Sequence, residues 1–443
     1  MKKKQIKEGF VHLSSIFHLL NLPTLLFHRV TARQANLQSS LYLYMNIAID
    51  IRCLMDRELT GVGEYTNNLL KELFKLDNTN QYYLFYNSLR KVKVPFYDYE
   101  NVHYIKFNWP NKLLNLSITL FGAPKIDKMI EKKVNHPNKS ALSANDPHIR
   151  NINLFFFPNI SFFSTDCPYM ITCHDLSFEY FPEFLNWKRK LWHRIMSPRL
   201  KFENAKKIIA VSKNTARDLT DFSLPSLHSA RDSSRNDRGI QKIKTIYSGI
   251  ADNYKVLKKD NPKLKKIKQK YRLPEKFIFF LGTKEPRKNI DSLVRAFELF
   301  KKETGSDLRL IITGAKGWSN PTNYSLLSTL YIPYIPEQDK RYFLNLASMF
   351  IFPSHYEGFG FPVLEAMACG CPVITSNNSS LGEICEDAAI LINSHDVNEL
   401  KNAIINMTDP RVTDFYKQKG LLQAQKFSWK KTAEDVLTTV DKT

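Results

Sequence analysis

The sequence contains no Cys-x-x-Cys pair. Its six cysteines (Cys53, Cys167, Cys173, Cys369, Cys371 and Cys385) have no histidine cluster beside them at metal-ligand spacing. Scattered thiols argue against a zinc module or a disulfide scaffold and suit a reducing cytoplasm. No Asp-x-Asp pair occurs anywhere in the chain. Nor is there a clean membrane span: residues 10–27 are moderately apolar after a basic start, but His12, His18, Asn21 and Pro23 interrupt them. Acidic residues are scarce beside basic ones, 43 against 64, leaving a formal net charge of +21. Such a charge calls for an anionic partner or a merely solvated lysine-rich surface. No RNP, zinc-finger or helix-turn-helix signature is present, so nucleic acid is not expected and peripheral contact with an anionic membrane is.

What is present reads as a globular chain of about two domains. A strand-like start at Met45 leads to the expectation that residues 1–44 are a leader, disordered or absent from the native protein. Short apolar runs at 46–50, 82–86, 154–157, 170–173 and 207–211 read as strands, with an amphipathic helix at 63–76. The pattern restarts with strands at 277–281, 308–313, 349–352 and 372–375 and helices at 290–302, 361–369 and 397–407. Strands alternating with helices predict an α/β fold with parallel sheets. The expected domains span 45–252 and 253–426, joined by a lysine-rich hinge near 253–270, with 427–443 as a final helix. Polar stretches at 135–151 and 223–242 read as flexible insertions in the first domain.

The strongest chemical signal is Glu357-Gly-Phe-Gly-Phe-Pro-Val-Leu-Glu365, which runs from the end of a predicted strand into a helix. Backbone amides and the helix dipole favour anions at such a junction. Gly358 and Gly360, flanking Phe359, let the backbone approach a ligand closely. Glu357 can accept from sugar hydroxyls and Glu365 can reach a ribose diol. Acidic residues serving only the helix dipole would explain Glu357 but not Glu365. A second junction, Gly282-Thr-Lys-Glu-Pro-Arg-Lys-Asn289, sets Arg287 and Lys288 where they could hold a pyrophosphate; taken alone it would be an exposed basic turn. Gly61 and Gly63 open the first helix without completing a G-x-G-x-x-G pattern. His174, at a strand end, serves structure as readily as chemistry.

Together these features resemble the family 4 glycosyltransferases over nearly all of the chain from Met45 onward. The resemblance rests on the E-x7-E element Glu357/Glu365, the basic turn 282–288, Thr60-Gly-Val-Gly-Glu-Tyr65, His174-Asp-Leu176, Ala210-Val-Ser212, Ser248-Gly-Ile250 and Phe427-Ser-Trp429. It implies a GT-B type fold, two Rossmann-like domains facing each other across a cleft, with the final helix returning to the first domain. It implies that Arg287 and Lys288 bind the donor diphosphate, with the Gly61/Gly63 loop closing over it. Glu357 and the 358–360 backbone would meet the transferred sugar, Glu365 the ribose, and His174 the sugar near its reacting carbon. Thr283 stands where many members carry arginine, which leaves the diphosphate more dependent on Arg287 and Lys288. That variant is most similar to mannosyltransferase branches of bacterial polysaccharide synthesis.

The expected activity is transfer of a hexose, mannose favoured, from a nucleotide-diphosphate sugar to a glycan or lipid-linked acceptor with retention. With no Asp-x-Asp pair, no metal or other cofactor is expected. The basic, aromatic stretch 186–201 either greets a lipid-linked acceptor at the inner membrane face or is a helix with a solvated basic side. A non-catalytic nucleotide-sugar-binding protein and a nucleotide-sugar epimerase of the same fold are the alternatives.

Overall fold

The computed structural model describes residues 44–441, apart from 57, 136–150, 186, 224–241 and 315–327. The proposed leader, save residue 44, and most of both polar insertions therefore lie outside the described residues.

The first domain is built on a parallel sheet of order β3-β2-β1-β4-β5-β6-β7. Its strands are β1 (Asn46–Asp50), β2 (Gln81–Asn87), β3 (Val102–Phe107), β4 (Leu154–Phe157), β5 (Tyr169–Cys173), β6 (Lys207–Ala210) and β7 (Ile243–Thr245). Strand side chains alternate between the two faces. Ile47, Ile49, Leu154 and Phe156 join one apolar cluster, whereas Ala48, Phe155 and Phe157 join another on the opposite face. Helices α1 (Gly61–Leu76), α2 (Asn111–Phe121), α3 (Ile126–Asn135), α4 (Trp187–Met196), α5 (Pro198–Asn204) and α6 (Lys213–Ser223) flank the sheet. Helix α1 begins two residues before the predicted start and buries Tyr65, Leu69, Leu70, Leu73 and Phe74. The segment expected as one basic helix at 186–201 is two, because Ser197 takes a left-handed conformation (φ 52°) ahead of Pro198.

The second domain has the parallel order β10-β9-β8-β11-β12-β13. These are β8 (Phe277–Leu281), β9 (Arg309–Thr313), β10 (Thr329–Ile332), β11 (Met349–Phe352), β12 (Val373–Ser376) and β13 (Ile390–Ile392). Its helices are α7 (Pro262–Lys270), α8 (Ile290–Thr304), α9 (Glu337–Leu346), α10 (Phe361–Ala368), α11 (Ser379–Cys385), α12 (Val397–Met407) and α13 (Pro410–Ala424). Half of the expected lysine-rich hinge is thus helical: α7 buries Leu264 and Ile267 and packs on α9. The strands the sequence pattern does not reveal are β3, β7, β10 and β13, which are the outer strands of the two sheets. Each has a neighbour on one side only and is half-exposed over most of its length, so no continuous apolar run marks it.

After α13 the chain crosses back, and α14 (Trp429–Asp441) packs against α1. Ile250 pairs with Ser428 in a parallel bridge, and the Thr432 hydroxyl donates to the Tyr247 carbonyl at 2.8 Å. The Trp429 ring meets Tyr65 edge-on at 5.6 Å and stacks over Phe361 of the second domain at 6.1 Å. This crossing needs Gly249: a Cβ there would stand 2.1 Å from the Trp429 nitrogen. Gly249→Ala is expected to displace α14 and lower the unfolding free energy by about 1–3 kcal/mol, which urea denaturation of the two proteins measures directly.

Candidate functional site

In each sheet the strand order turns around beside its first strand, between β1 and β4 and between β8 and β11. Loops leaving the carboxyl ends of two such neighbours part to opposite faces of the sheet and open a crevice. In the second domain those loops are 282–289 after β8 and 353–360 after β11. Two signals far apart in the sequence therefore become the two walls of one crevice.

The first wall is a tight turn. The Gly282 amide donates to the Thr313 carbonyl at 2.9 Å, and Pro286–Lys288 form a single helical turn. Asn289 closes it in a left-handed conformation (φ 55°), with its side-chain amide donating to the carbonyls of Pro353 (3.1 Å) and Ser394 (2.6 Å). Arg287 and Lys288 are thereby aimed at the second wall. Arg287 Nη1 lies 3.0 Å from Glu357 Oε2 and donates to the Tyr356 carbonyl at 2.6 Å. Lys288 Nζ lies 2.6 Å from Glu357 Oε1 and 4.8 Å from the centre of the Phe352 ring.

These charges are largely removed from water, which alone would neutralise them. For Arg287 the carboxylates of Glu357, Asp175 and Glu285 outweigh burial and raise the pKa. Burial, helped by the adjacent Arg287, lowers that of Lys288. Burial works against the Glu357 carboxylate, but the two cations hold its pKa down to about 2. Glu357 is therefore ionised across the physiological range.

The second wall is held by residues the sequence signals miss. The Glu357 amide donates to Ser379 Oγ at 3.0 Å, and the Ser380 hydroxyl lies 2.9 Å from the Glu357 carbonyl and 2.8 Å from that of Phe359. Both serines follow β12, the next strand beside β11, so the strand order would have pointed to them. Gly360 caps α10 at φ 113°. Gly358 sits against the first domain: a Cβ there would stand 1.7 Å from the His174 carbonyl oxygen.

His174 follows β5, and its Nε2 lies 2.8 Å from the Pro158 carbonyl oxygen. A carbonyl only accepts, so the proton sits on Nε2 and the Nδ1 lone pair is free of it. Burial lowers the pKa and keeps the ring neutral. The ring stands edge-on to Tyr65, 4.7 Å away, on the helix that Gly61 and Gly63 open. Gly63 is crowded by Leu59 and the Cys53 carbonyl, whereas a Cβ at Gly61 would meet nothing within 4 Å. Glu365 is not part of the ionic cluster; it lies in α10, just over one turn from the helix start, and burial pushes its pKa up to about 7.

The two domains meet at this crevice through polar contacts. The Tyr356 hydroxyl donates to Asp218 Oδ2 at 2.6 Å, and the Thr215 hydroxyl donates to the Gly358 carbonyl at 3.2 Å. Glu383 accepts from the amides of Lys213 (2.7 Å) and Asn214 (3.0 Å), capping α6 from the other domain, and also from the Tyr247 hydroxyl at 2.6 Å. Gly358→Ala is expected to prop the domains apart and cost about 1–3 kcal/mol of stability. Small-angle scattering should record a larger radius of gyration than for Gly61→Ala, the control in open space. Equal radii would mean that closure does not depend on Gly358.

Comparison with known proteins fits this geometry. A profile described as Glycosyltransferase Family 4 matches residues 59–230, and one described as Glycosyl transferases group 1 matches residues 263–419. The O-antigen chain mannosyltransferase B of Escherichia coli is 27% identical over 384 residues, covering 84% of this chain and 93% of that protein. The serotype-specific mannosyltransferase WbdA of Escherichia coli is 26% identical over 426 residues, 88% of this chain; the chain spans about half of that protein, 47%. Among solved structures, sucrose-phosphate synthase from Thermosynechococcus elongatus superposes with a TM-score of 0.64 at 18% identity, over 90% of this chain and 98% of that one. With one glycosyltransferase profile on each of two parallel-sheet domains, the chain belongs to the family 4 glycosyltransferases and has the GT-B fold.

Proposed function

We propose that the protein is a retaining hexosyltransferase that moves mannose from a nucleotide-diphosphate sugar to a glycan or lipid-linked acceptor in cell-surface polysaccharide synthesis. The observation that supports this most is the meeting of Arg287, Lys288 and Glu357 at the carboxyl ends of β8 and β11. The names of the two Escherichia coli relatives support mannose and polysaccharide.

In this reading the donor diphosphate replaces Glu357 as the partner of Arg287 and Lys288. Glu357, released from its two cations, accepts from hydroxyls of the transferred sugar, and the 358–360 backbone lines the same pocket. The neutral His174 ring, held through Nε2, lies on the first-domain side of the sugar, with Gly61 and Gly63 above the diphosphate. Glu365 takes the ribose. The bond between the sugar C1 and the diphosphate oxygen breaks, and the acceptor hydroxyl oxygen bonds C1 from the same face. Its proton passes to an oxygen of the departing nucleoside diphosphate. Charge grows on that phosphate as the bond breaks, and fixed cations in a water-poor site stabilise it there. These two side chains supply what a divalent cation supplies elsewhere, so the reaction is expected to run without added metal.

The test is a panel of GDP-mannose, UDP-glucose, UDP-N-acetylglucosamine and UDP-galactose in metal-free buffer, read by thermal shift and slow donor hydrolysis. GDP-mannose should stabilise the protein, and Lys288→Ala should lower turnover by roughly a hundredfold or more. An inverted anomer in the product NMR spectrum would overturn retention. Turnover of a donor to its epimer without acceptor would replace the transferase reading by the epimerase one.

The acceptor is assigned to the first domain, on the far side of the crevice, and the enzyme to the cytoplasm at the inner membrane face. No helix among the described residues is long and apolar enough to cross a membrane. Helix α4 exposes Trp187, Leu191, Trp192 and Ile195 beside Lys188, Arg189, Lys190 and Arg194, and α2 exposes Leu113, Leu116, Leu120 and Phe121. A groove of about 970 Å³ joins them, reached by Ile118 and Ile195 and by the cations of Lys201, Lys206 and Lys242. Aromatic and basic side chains together favour an anionic lipid surface. The protein should float with vesicles containing phosphatidylglycerol but not with phosphatidylcholine alone, and charge reversal at Lys188, Arg189 and Lys190 should weaken binding more than tenfold. Equal flotation of that variant would remove α4 from the contact.

A further inference from the structure

The sheet of the first domain turns around between β1 and β4, as that of the second does between β8 and β11. The crevice that opens there holds an ion pair for which the donor has no use. Asp50 ends β1 and is buried, and Arg52, two residues on, opens a single helical turn in the loop that leaves this strand. Arg52 Nε donates to Asp50 Oδ1 at 2.9 Å and Nη2 to Asp50 Oδ2 at 2.6 Å. From the loop that leaves β4, Ser161 Oγ lies 3.0 Å and the Phe162 carbonyl 2.9 Å from the same Nη2, and the Ser161 hydroxyl donates to Asp50 Oδ2 at 3.0 Å. The guanidinium lies over the Phe85 ring, 5.3 Å from its centre. Pro158, whose carbonyl holds His174 at 2.8 Å, belongs to the same loop. Residues 158–162 therefore fix both Arg52 and the histidine.

These bonds engage one edge of the guanidinium and leave the other unspent. Nη1 carries two N–H groups and has no partner among the described residues, where the bonds of Arg52 run through Nε and Nη2. The side chain keeps 14% of its surface open to solvent. A donor edge held rigid at the switch point of an open sheet stands where such folds bind ligands. The pair with Asp50 carries no net charge, so it offers an anion little, whereas a hydroxyl oxygen needs only the N–H. We propose that Arg52 is an acceptor-binding residue: through Nη1 it donates to a hydroxyl of an uncharged sugar on the acceptor, while Asp50 and Ser161 hold the guanidinium in place. This rests on the reading of the first domain as the acceptor side and names the class of sugar that enters it.

The same bonds staple the 158–162 loop to the end of β1, and substitutions separate the two roles. A staple asks only that a cation meet Asp50, which lysine does. A second donor edge beyond the ion pair belongs to arginine alone. Removing the Asp50 charge leaves the guanidinium uncompensated, which turns a site for neutral hydroxyls into one that favours an anion.

The probes are the methyl glycosides of mannose, glucose and galactose, with methyl glucuronide as the anionic member, titrated against the full chain by saturation-transfer NMR with and without GDP or UDP. The wild type should bind a neutral glycoside more tightly than the glucuronide. Arg52→Met and Arg52→Lys should both weaken that binding about tenfold, the loss of one hydrogen bond from a charged donor, with nucleotide affinity changed less than about twofold. Asp50→Asn should shift the preference toward the glucuronide by about fivefold or more. Full rescue by Arg52→Lys, a parallel loss of nucleotide and glycoside binding, or an unaltered preference in Asp50→Asn overturns the proposal and leaves Arg52 a staple. A wild type that binds none of the glycosides overturns it as well. Failure to bind a nucleoside diphosphate counts against the donor reading alone, because the glycosides are also titrated without one.

Discussion

A carboxylate removed from water must be met by positive charge, and in this protein the requirement falls on Glu357. Arg287 and Lys288 meet it at 3.0 and 2.6 Å, and neither could do so from its own loop alone. They reach Glu357 because β8 and β11 are neighbours in the sheet although β9 and β10 come between them in the chain. The right-handed parallel winding that yields this order leaves both loops at the same end of the sheet. Asn289, Ser379 and Ser380 then tie the backbone of each loop to the strands beside it. A charge cluster of this kind adds little net stability once desolvation is counted. In the proposed reaction it would provide two cations fixed in place before the diphosphate arrives, so that their orientation need not be achieved during the reaction.

Closure of the two domains is a second constraint on the same residues. Gly358 admits the His174 carbonyl where a side chain would exclude it. The surrounding contacts combine hydrogen bonds of Tyr356, Thr215 and Glu383 with ring contacts of Phe181 on Tyr356 and of Trp429 on Phe361. Each such bond contributes about 0.5–1.5 kcal/mol net, since water replaces it on opening. The hydrogen bonds therefore set the geometry of the pairing more than its strength.

The central strands and both halves of the charge cluster were legible in the sequence because each is locally written: an apolar run, then a turn with glycine and paired charges. Strands such as β8 and β11 are buried on both faces and carry no interruption. The outer strands were not legible, since β3 reads Val-His-Tyr-Ile-Lys-Phe and four of its six residues are only partly buried. Glu365 was recognisable by its spacing from Glu357, but Ser379 and Ser380, which hold the Glu357 loop, were not. They come from α11, after the next strand of the sheet, and no local pattern joins residues that only tertiary folding brings together. Glu383 was missed for the same reason, as a cap supplied to α6 by another domain.

The return of α14 to α1 has a consequence for the order in which the protein forms during synthesis. Trp429, Ala433, Val436 and Val440 are buried residues of the last helix, and they close the side of the first domain that Tyr65, Leu69 and Leu73 present. A nascent chain emits the first domain roughly 10–40 seconds before that helix, at about 5–20 residues per second. Throughout that interval the side of α1 that α14 covers is open to chaperones or to other chains. The first domain is thus completed only after the second has been made.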